Sequence, residues 1–176
     1  MTTNMLFAGF GGQGILFAGK IAAYSGLMDG REVSWLPSYG PEMRGGTANC
    51  GVCISDEPVG SPLVLTPDAL VVMNLQSYEK FIGSVVPGGV AVVDSTLIDK
   101  KCGRTDIRVF YVPATGLASE QGLDSLANMI LMGKLYKETG FTTLGSIKQA
   151  MEKSIPASRR HLIEANLRAI ELGSSY

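Results

Sequence analysis

Uninterrupted aliphatic runs alternate with stretches of helical apolar spacing along the first two thirds of the chain, and the last third keeps only the helical spacing. Met5-Leu6-Phe7-Ala8, Ala69 to Asn74, Val90 to Asp94 and Ile107 to Val112 read as strands. Their continuous rather than alternating apolarity predicts a mostly parallel sheet covered on both faces. Glu32 to Leu36 and Thr47 to Ser55 read as two further strands. Helices are predicted over about Gln13 to Met28, Gln76 to Val85, Asp124 to Lys134, Thr142 to Lys153 and Ser158 to Leu172. Asp29-Gly30 and Gly173 close the first and last of them, and Pro87 to Gly89 and Pro113 to Gly116 read as turns. The last helix sets Leu162, Ile163, Leu167 and Ile170 on one side and Arg160, Glu164 and Arg168 on the other. Residues 1–176 therefore predict a single α/β domain of three layers, with a Rossmann-like start, a mostly parallel sheet and a helical C-terminal third.

The first strand runs directly into Gly9, Gly11, Gly12, Gln13 and Gly14, and a helical pattern follows at once. In a βαβ start, Gly9 permits the turn, Gly11 and Gly12 admit a ligand to the backbone, and Gly14 lets helix and strand pack closely. The exposed amides of the first helical turn favour an anionic group such as a phosphate. A dinucleotide site also needs an acid at the tip of the second strand. That strand ends in Pro37-Ser38-Tyr39, which disfavours an ordinary NAD site and leaves open that the glycines only build a tight corner.

A second stretch follows that strand. Pro37 to Gly46 holds two prolines and three glycines in ten residues, so it reads as a loop on the ligand-binding end of a parallel sheet. Ser38, Tyr39, Glu42 and Arg44 supply donors, an aromatic face and one fixed cation, and Gly45 and Gly46 complete the candidate binding stretch, with a plain surface loop as the alternative.

Composition changes the picture in one respect. Charged residues make up 18% of the chain, against about 25% in soluble domains, and mean hydropathy is +0.20. A surface this short of charge is expected to be covered by permanent partners, since obligate interfaces resemble a core cut in half. Net charge is -1 and the cations are scattered, so nucleic acid is disfavoured. No apolar run approaches the roughly 18 residues of a membrane span, and the N-terminus lacks a signal pattern. A cytoplasmic location is expected.

Catalytic chemistry finds few candidates. Cys50 and Cys53 form a Cys-x-x-Cys inside a strand, where residues three apart point to opposite faces, and with Cys102 they are too few for a four-thiolate cluster. His161 stands alone in a charged helix, no Walker lysine follows the glycines, and the Gly-Asp-Gly motif of a metal-bound thiamine diphosphate site is missing. Asp94, Ser95 and Thr115 stand at strand ends, where capping is the simpler role. Asn128, in a helix apolar nearly all round, needs a hydrogen-bond partner. No catalytic residue and no metal ligand is expected in this chain.

Taken together, the glycine stretch from Gly9 to Ile15 and the Pro37 to Gly46 stretch resemble the gamma subunit of the 2-oxoacid:ferredoxin (or flavodoxin) oxidoreductases. The resemblance extends over nearly the whole chain, including Val112 to Thr115, the helix at 127–133 and the Asn166 to Gly173 ending. It implies a complex in which alpha and beta subunits carry thiamine diphosphate and Mg, and a ferredoxin-like delta subunit or domain carries iron–sulfur clusters. Ferredoxin or flavodoxin accepts the electrons, and coenzyme A (CoA) leaves as an acyl thioester. The gamma chain is then inactive alone and helps to form the CoA site. On this resemblance the Gly11 to Gly14 amides and Arg44 hold phosphates, while Ser38, Tyr39 and Glu42 shape the passage of the thiol. The Pro37 to Gly46 form is closest to 2-oxoglutarate enzymes, with branched-chain 2-oxoacid enzymes next and pyruvate enzymes after them. The small subunit of indolepyruvate oxidoreductase shares the domain, and a free-standing nucleotide-binding or regulatory module remains the reading from another class. A stand-alone Rossmann dehydrogenase is the weakest, lacking both ribose-binding acid and proton-transfer histidine.

Overall fold

The computed structural model describes residues 1–39 and 47–176, with Tyr39 described by its backbone alone. Met5 and Phe7 point to one side of the first strand and Leu6 and Ala8 to the other, and all four are buried. A strand with two buried faces belongs in the middle of a covered sheet. This strand, β1 (Thr2–Phe10), does lie inside a six-stranded sheet. The others are β2 (Glu32–Tyr39), β3 (Thr47–Ser55), β4 (Ala69–Val72), β5 (Val90–Asp94) and β6 (Arg108–Val112), in the order β2-β3-β1-β4-β5-β6. From β1 to β6 every neighbouring pair is parallel, whereas β3 runs antiparallel to both β1 and β2.

The antiparallel pair revises the expected start. After β1, helix α1 (Ile15–Met28) leads to β2, but β2 forms the sheet edge and β3 lies between it and β1. The segment 40–46 therefore joins two antiparallel neighbours. The tip that a Rossmann reading must inspect belongs to β4, the parallel neighbour of β1, where Asn74 accepts a hydrogen bond from the Ser77 amide (2.8 Å) and caps the next helix. An amide busy with capping is no ribose-binding acid.

Helices cover the two faces unequally. The larger core joins Met5, Phe7, Val52, Ile54, Val71 and Val92 to α1, α4 (Ala127–Thr139), α5 (Leu144–Ser154) and α6 (Leu162–Ser175). The smaller core, with Leu6, Ala8, Leu70, Val72, Ala91 and Val93, lies under α2 (Leu75–Phe81) and the fully buried Tyr78. Helix α3 (Ala114–Glu120) stands where a turn was expected. Pro113 serves as its N-cap residue, a place where a missing N–H costs little. Gly173 does not end the last helix, which runs on to Ser175. Leu162, expected on the buried side, is 41% exposed. Among the described residues, no helix is long and apolar enough to cross a membrane.

A glycine corner between two clefts

The corner is built at Gly12 and Gly14 rather than at Gly9. Both have left-handed backbones (φ 94 and 74), which glycine adopts without steric cost. Gly9 lies in β1 opposite Ala48, and its missing Cβ makes room for another side chain: one placed there would sit 2.6 Å from Gln13 Oε1. That Gln13 oxygen accepts from the Phe10 amide at 2.6 Å, while Nε2 donates to the Met73 carbonyl at 2.9 Å. Gln13 thus clamps the tip of β1 to the end of β4, and both ends of its amide are engaged.

Gly14, expected to ease packing on the strand, instead accommodates α4. A Cβ there would run into the Asn128 side chain, whose Nδ2 donates to the Gly14 carbonyl at 3.0 Å. That carbonyl also accepts from the Ala18 amide at 3.0 Å, the first bond of α1. Asn128 therefore has the partner that burial demands, although its Oδ1 is buried without one among the described residues. Helix α1 begins with no side-chain cap and no acid in its first turn. The amides of Ile15, Leu16 and Phe17 precede its first intrahelical bonds and have no partner among the described residues, a setting that favours an anion.

Two clefts flank this corner. One, about 260 Å³, lies under the start of α1 and is lined by Phe10, Gly11, Ile15, Leu16, Phe17 and Ala48. The other, about 390 Å³, has Gly12 and Gln13 on one wall and Thr115, Ser119, Asp124 and Ser125 on the other. Among the described residues, no Lys or Arg lines either cleft. Thr115 donates its hydroxyl proton to Asp94 Oδ2 at 2.6 Å, and Asp94 Oδ1 accepts from the Thr96 amide at 3.1 Å. Asp94, fully buried, is thus a turn and cap residue.

Tyr39 pairs with Ala48, which pairs with Gly9, so the end of β2 lies two strand spacings, about 10 Å, from the tip of β1. Ser38 is exposed on β2 opposite Asn49. Of the other expected site residues, Glu42, Arg44, Gly45 and Gly46 lie outside the described residues. The second cleft's wall was largely missed from sequence: Ser119 lies on the unexpected α3, and Ser125 has a positive φ of 69 that no glycine announces. Cys50 and Cys53 do diverge, the first toward the Ile15 carbonyl (3.6 Å) and the second toward the Ser61 carbonyl (3.8 Å). Their geometry cannot hold one metal centre between them. His161 is exposed just before α6.

Comparison with known proteins places this architecture among oxidoreductase subunits. A family model described as "Pyruvate ferredoxin/flavodoxin oxidoreductase" matches residues 4–176. The chain is 41% identical over 171 residues to the ketoisovalerate oxidoreductase subunit VorA of Methanothermobacter thermautotrophicus, covering 96% of this chain but 35% of that subunit. It thus spans about a third of that relative's length. It is 37% identical over 176 residues to the 2-oxoglutarate synthase subunit KorC of Methanocaldococcus jannaschii, covering 98% of this chain and 92% of that subunit. Among solved structures, the gamma subunit of a keto/oxoacid ferredoxin oxidoreductase from Geobacter sulfurreducens superimposes with a TM-score of 0.83. Its identity is 27%, and the match covers 98% of this chain and 96% of that one.

Proposed function

The chain belongs to the pyruvate ferredoxin/flavodoxin oxidoreductase family, and from that premise we propose that it serves as the gamma-type subunit of a 2-oxoacid:ferredoxin oxidoreductase. In that role it contributes to the CoA site and leaves oxoacid oxidation to partner chains. The observation that carries this reading is the uncapped start of α1, whose first amides have no partner among the described residues, lie beside a cleft and follow a carbonyl held by Asn128. The donor set argues likewise. Among the described residues no group of three or more His, Cys, Asp or Glu is placed to hold a metal, and the two neighbouring cysteines face apart. On this reading thiamine diphosphate and iron–sulfur clusters are carried by other subunits, an alpha, a beta and a ferredoxin-like chain, with ferredoxin or flavodoxin as acceptor.

Energetics require such partners at the CoA site too. An anion at a helix N-terminus gains about 0.3–1 kcal/mol, up to about 2 when partly buried. Micromolar binding needs about 8 kcal/mol. Arg44, carried by the segment that leaves β2, supplies a second phosphate contact, and a neighbouring subunit supplies the rest.

We take 2-oxoglutarate as the oxoacid, because the relative named for it matches along nearly its whole length. Branched-chain 2-oxoacids stand next, on the ketoisovalerate relative. A panel of 2-oxoacids with a viologen dye, run on the co-expressed complex, decides between them.

The corner itself is tested with a charge pair. Gly12 has a left-handed backbone and open space beyond it, and Asp and Asn tolerate that conformation better than other residues. Gly12→Asp and Gly12→Asn carry equal backbone strain and differ by one negative charge. If CoA phosphates bind at the corner, Gly12→Asp raises KM for CoA several-fold above Gly12→Asn, and more at low salt. Equal KM values for the two variants would remove the corner from the CoA site.

A further inference from the structure

The two edges of the sheet are furnished differently. At β6, the Arg108 guanidinium and the Lys134 amine lie 5.7 and 4.5 Å from the centre of the Phe110 ring, and Glu138 binds both, at 3.2 and 2.8 Å. Two cations, one ring and one carboxylate make a set that closes on itself. Near β2, the amines of Lys20 in α1 and Lys153 in α5 lie 5.5 and 5.9 Å from the centre of the Tyr24 ring. Among the described residues, neither lysine takes part in an ion pair. Neither has an acid three or four positions away along its helix, as Lys134 has in Glu138. Glu152 adjoins Lys153, but consecutive helix positions do not face each other. Ring and cations repeat at the β2 edge, and among the described residues the carboxylate does not.

Tyr24 is also one wall of an apolar groove between α1 and β2. Ala23, Leu27, Val33 and Trp35 complete it, with Lys20 as the one charged residue in its lining. Its volume is about 200 Å³. That is small beside the roughly 300–1,000 Å³ of a site enclosing a whole ligand, and it suits one large side chain. Trp35 is held firmly. A Cβ on Gly19 would strike Cys50 Sγ and lie 3.3 Å from Trp35 Nε1, so the nitrogen edge of the indole packs on α1 while the residue stays 37% exposed. Leu27 is 42% exposed beside it. Fixed aromatic and aliphatic anchors around a pocket, with charge at the margin, have the make-up of a binding hot spot.

We infer that this groove seats a partner subunit, which inserts an apolar side chain beside Leu27 and Trp35 and sets an Asp or Glu carboxylate against Lys20 and Lys153. The inference rests on the reading of this chain as a subunit of a larger complex. Charge selects the occupant. A second copy of this chain docking here about a two-fold axis would present the same patch to itself and bring cations to cations. An acidic, apolar segment of a different chain supplies what the Phe110 set already has in Glu138.

A zero-length carbodiimide, which joins an amine to a carboxylate in direct contact, reads the occupant in the co-expressed wild-type complex. Mass spectrometry of the digest should find Lys20 or Lys153 joined to an Asp or Glu of another subunit. A link only to an acid of this same sequence, or no link at either lysine, overturns the inference. Two double variants test the charge. Lys20→Glu with Lys153→Glu should lower the partner chains retained on the tagged chain roughly tenfold at about 0.05 M salt, compared with Lys20→Gln and Lys153→Gln. The two should converge near 0.5 M salt, roughly, where such attraction is screened. Leu27→Gln, on the exposed margin, should weaken retention several-fold at both salt concentrations. Retention that is equal for the Glu and Gln pairs at low salt, or unchanged by Leu27→Gln, overturns the inference. Wild-type retention separates the two levels. If no other subunit co-purifies with the wild-type chain, the subunit reading falls and this inference with it. If the complex forms and neither lysine links to a partner, the inference alone falls.

Discussion

Cys50 carries the clearest consequence at the scale of single residues. Burial against α1 pushes its thiol up to about 12, so it stays protonated in the folded chain across the usual working range. In the unfolded chain a thiol titrates near pH 8.5, roughly. Above that pH the unfolded state sheds the proton and the folded state keeps it. Stability contributed by the buried thiol is therefore complete below about pH 8.5 and is lost as pH rises toward 12, at roughly 1.4 kcal/mol per pH unit. Urea midpoints measured at pH 8 and pH 10 should show this decline in the wild type and a shallower one in Cys50→Ala. Equal slopes would mean that Cys50 is solvated. Tyr78, also raised by burial, contributes in the same direction to both proteins. The divergence of Cys50 and Cys53 was legible because a strand alternates its faces whatever it packs against. The roles of Gly9 and Gln13 were not. They depend on Met73, brought alongside by the pairing of β1 with β4, sixty residues later in the chain.

Among the elements, α4 and α6 depend on each other most directly. A Cβ on Gly133 would strike the backbone carbonyl of Ile170, and one on Gly173 that of Ile130. The helices cross with their backbones in contact, at two glycines that face each other's partners. Gly133→Ala has no flexible side chain to displace, so the helices must part. Overpacking of this kind costs typically about 1–3 kcal/mol, and the rigid backbone contact puts this case at about 3. Thermal unfolding of the variant measures it, and a loss below about 1 kcal/mol would mean that the helices are free to slide. Sequence periodicity located both helices yet cast Gly173 as a stop, because a glycine near a helix end is more often a cap than a contact. The same ambiguity hid α3, whose opening Pro113-Ala114-Thr115-Gly116 has turn composition but lies in or beside a helical first turn.

The whole molecule leaves apolar surface uncovered. Leu27, Trp35 and Leu36, around α1 and the edge strand β2, are each more than a third exposed, and Leu63 and Leu65 more than half. Together with 18% charged residues, this favours association. The chain expressed alone is expected to elute above 18.6 kDa or to aggregate at micromolar concentration, and to stay in solution when made together with its partner subunits. A stable monomer on size exclusion would favour the free-standing module. What the sequence determined by itself was whatever depends on neighbours along the chain. That includes the aliphatic strands, most of the helices, the glycine corner, the divergence of two cysteines and the low surface charge. What only the tertiary structure decided was set by residues far apart in the chain. The insertion of β3 between β1 and β2 follows from its pairing with both, and no local pattern encodes a strand's neighbours. The clamp of Gln13 on Met73, the bond from Asn128 to Gly14 and the facing of Asp124 onto the corner arise the same way, from a fold that closes distances the chain alone leaves open.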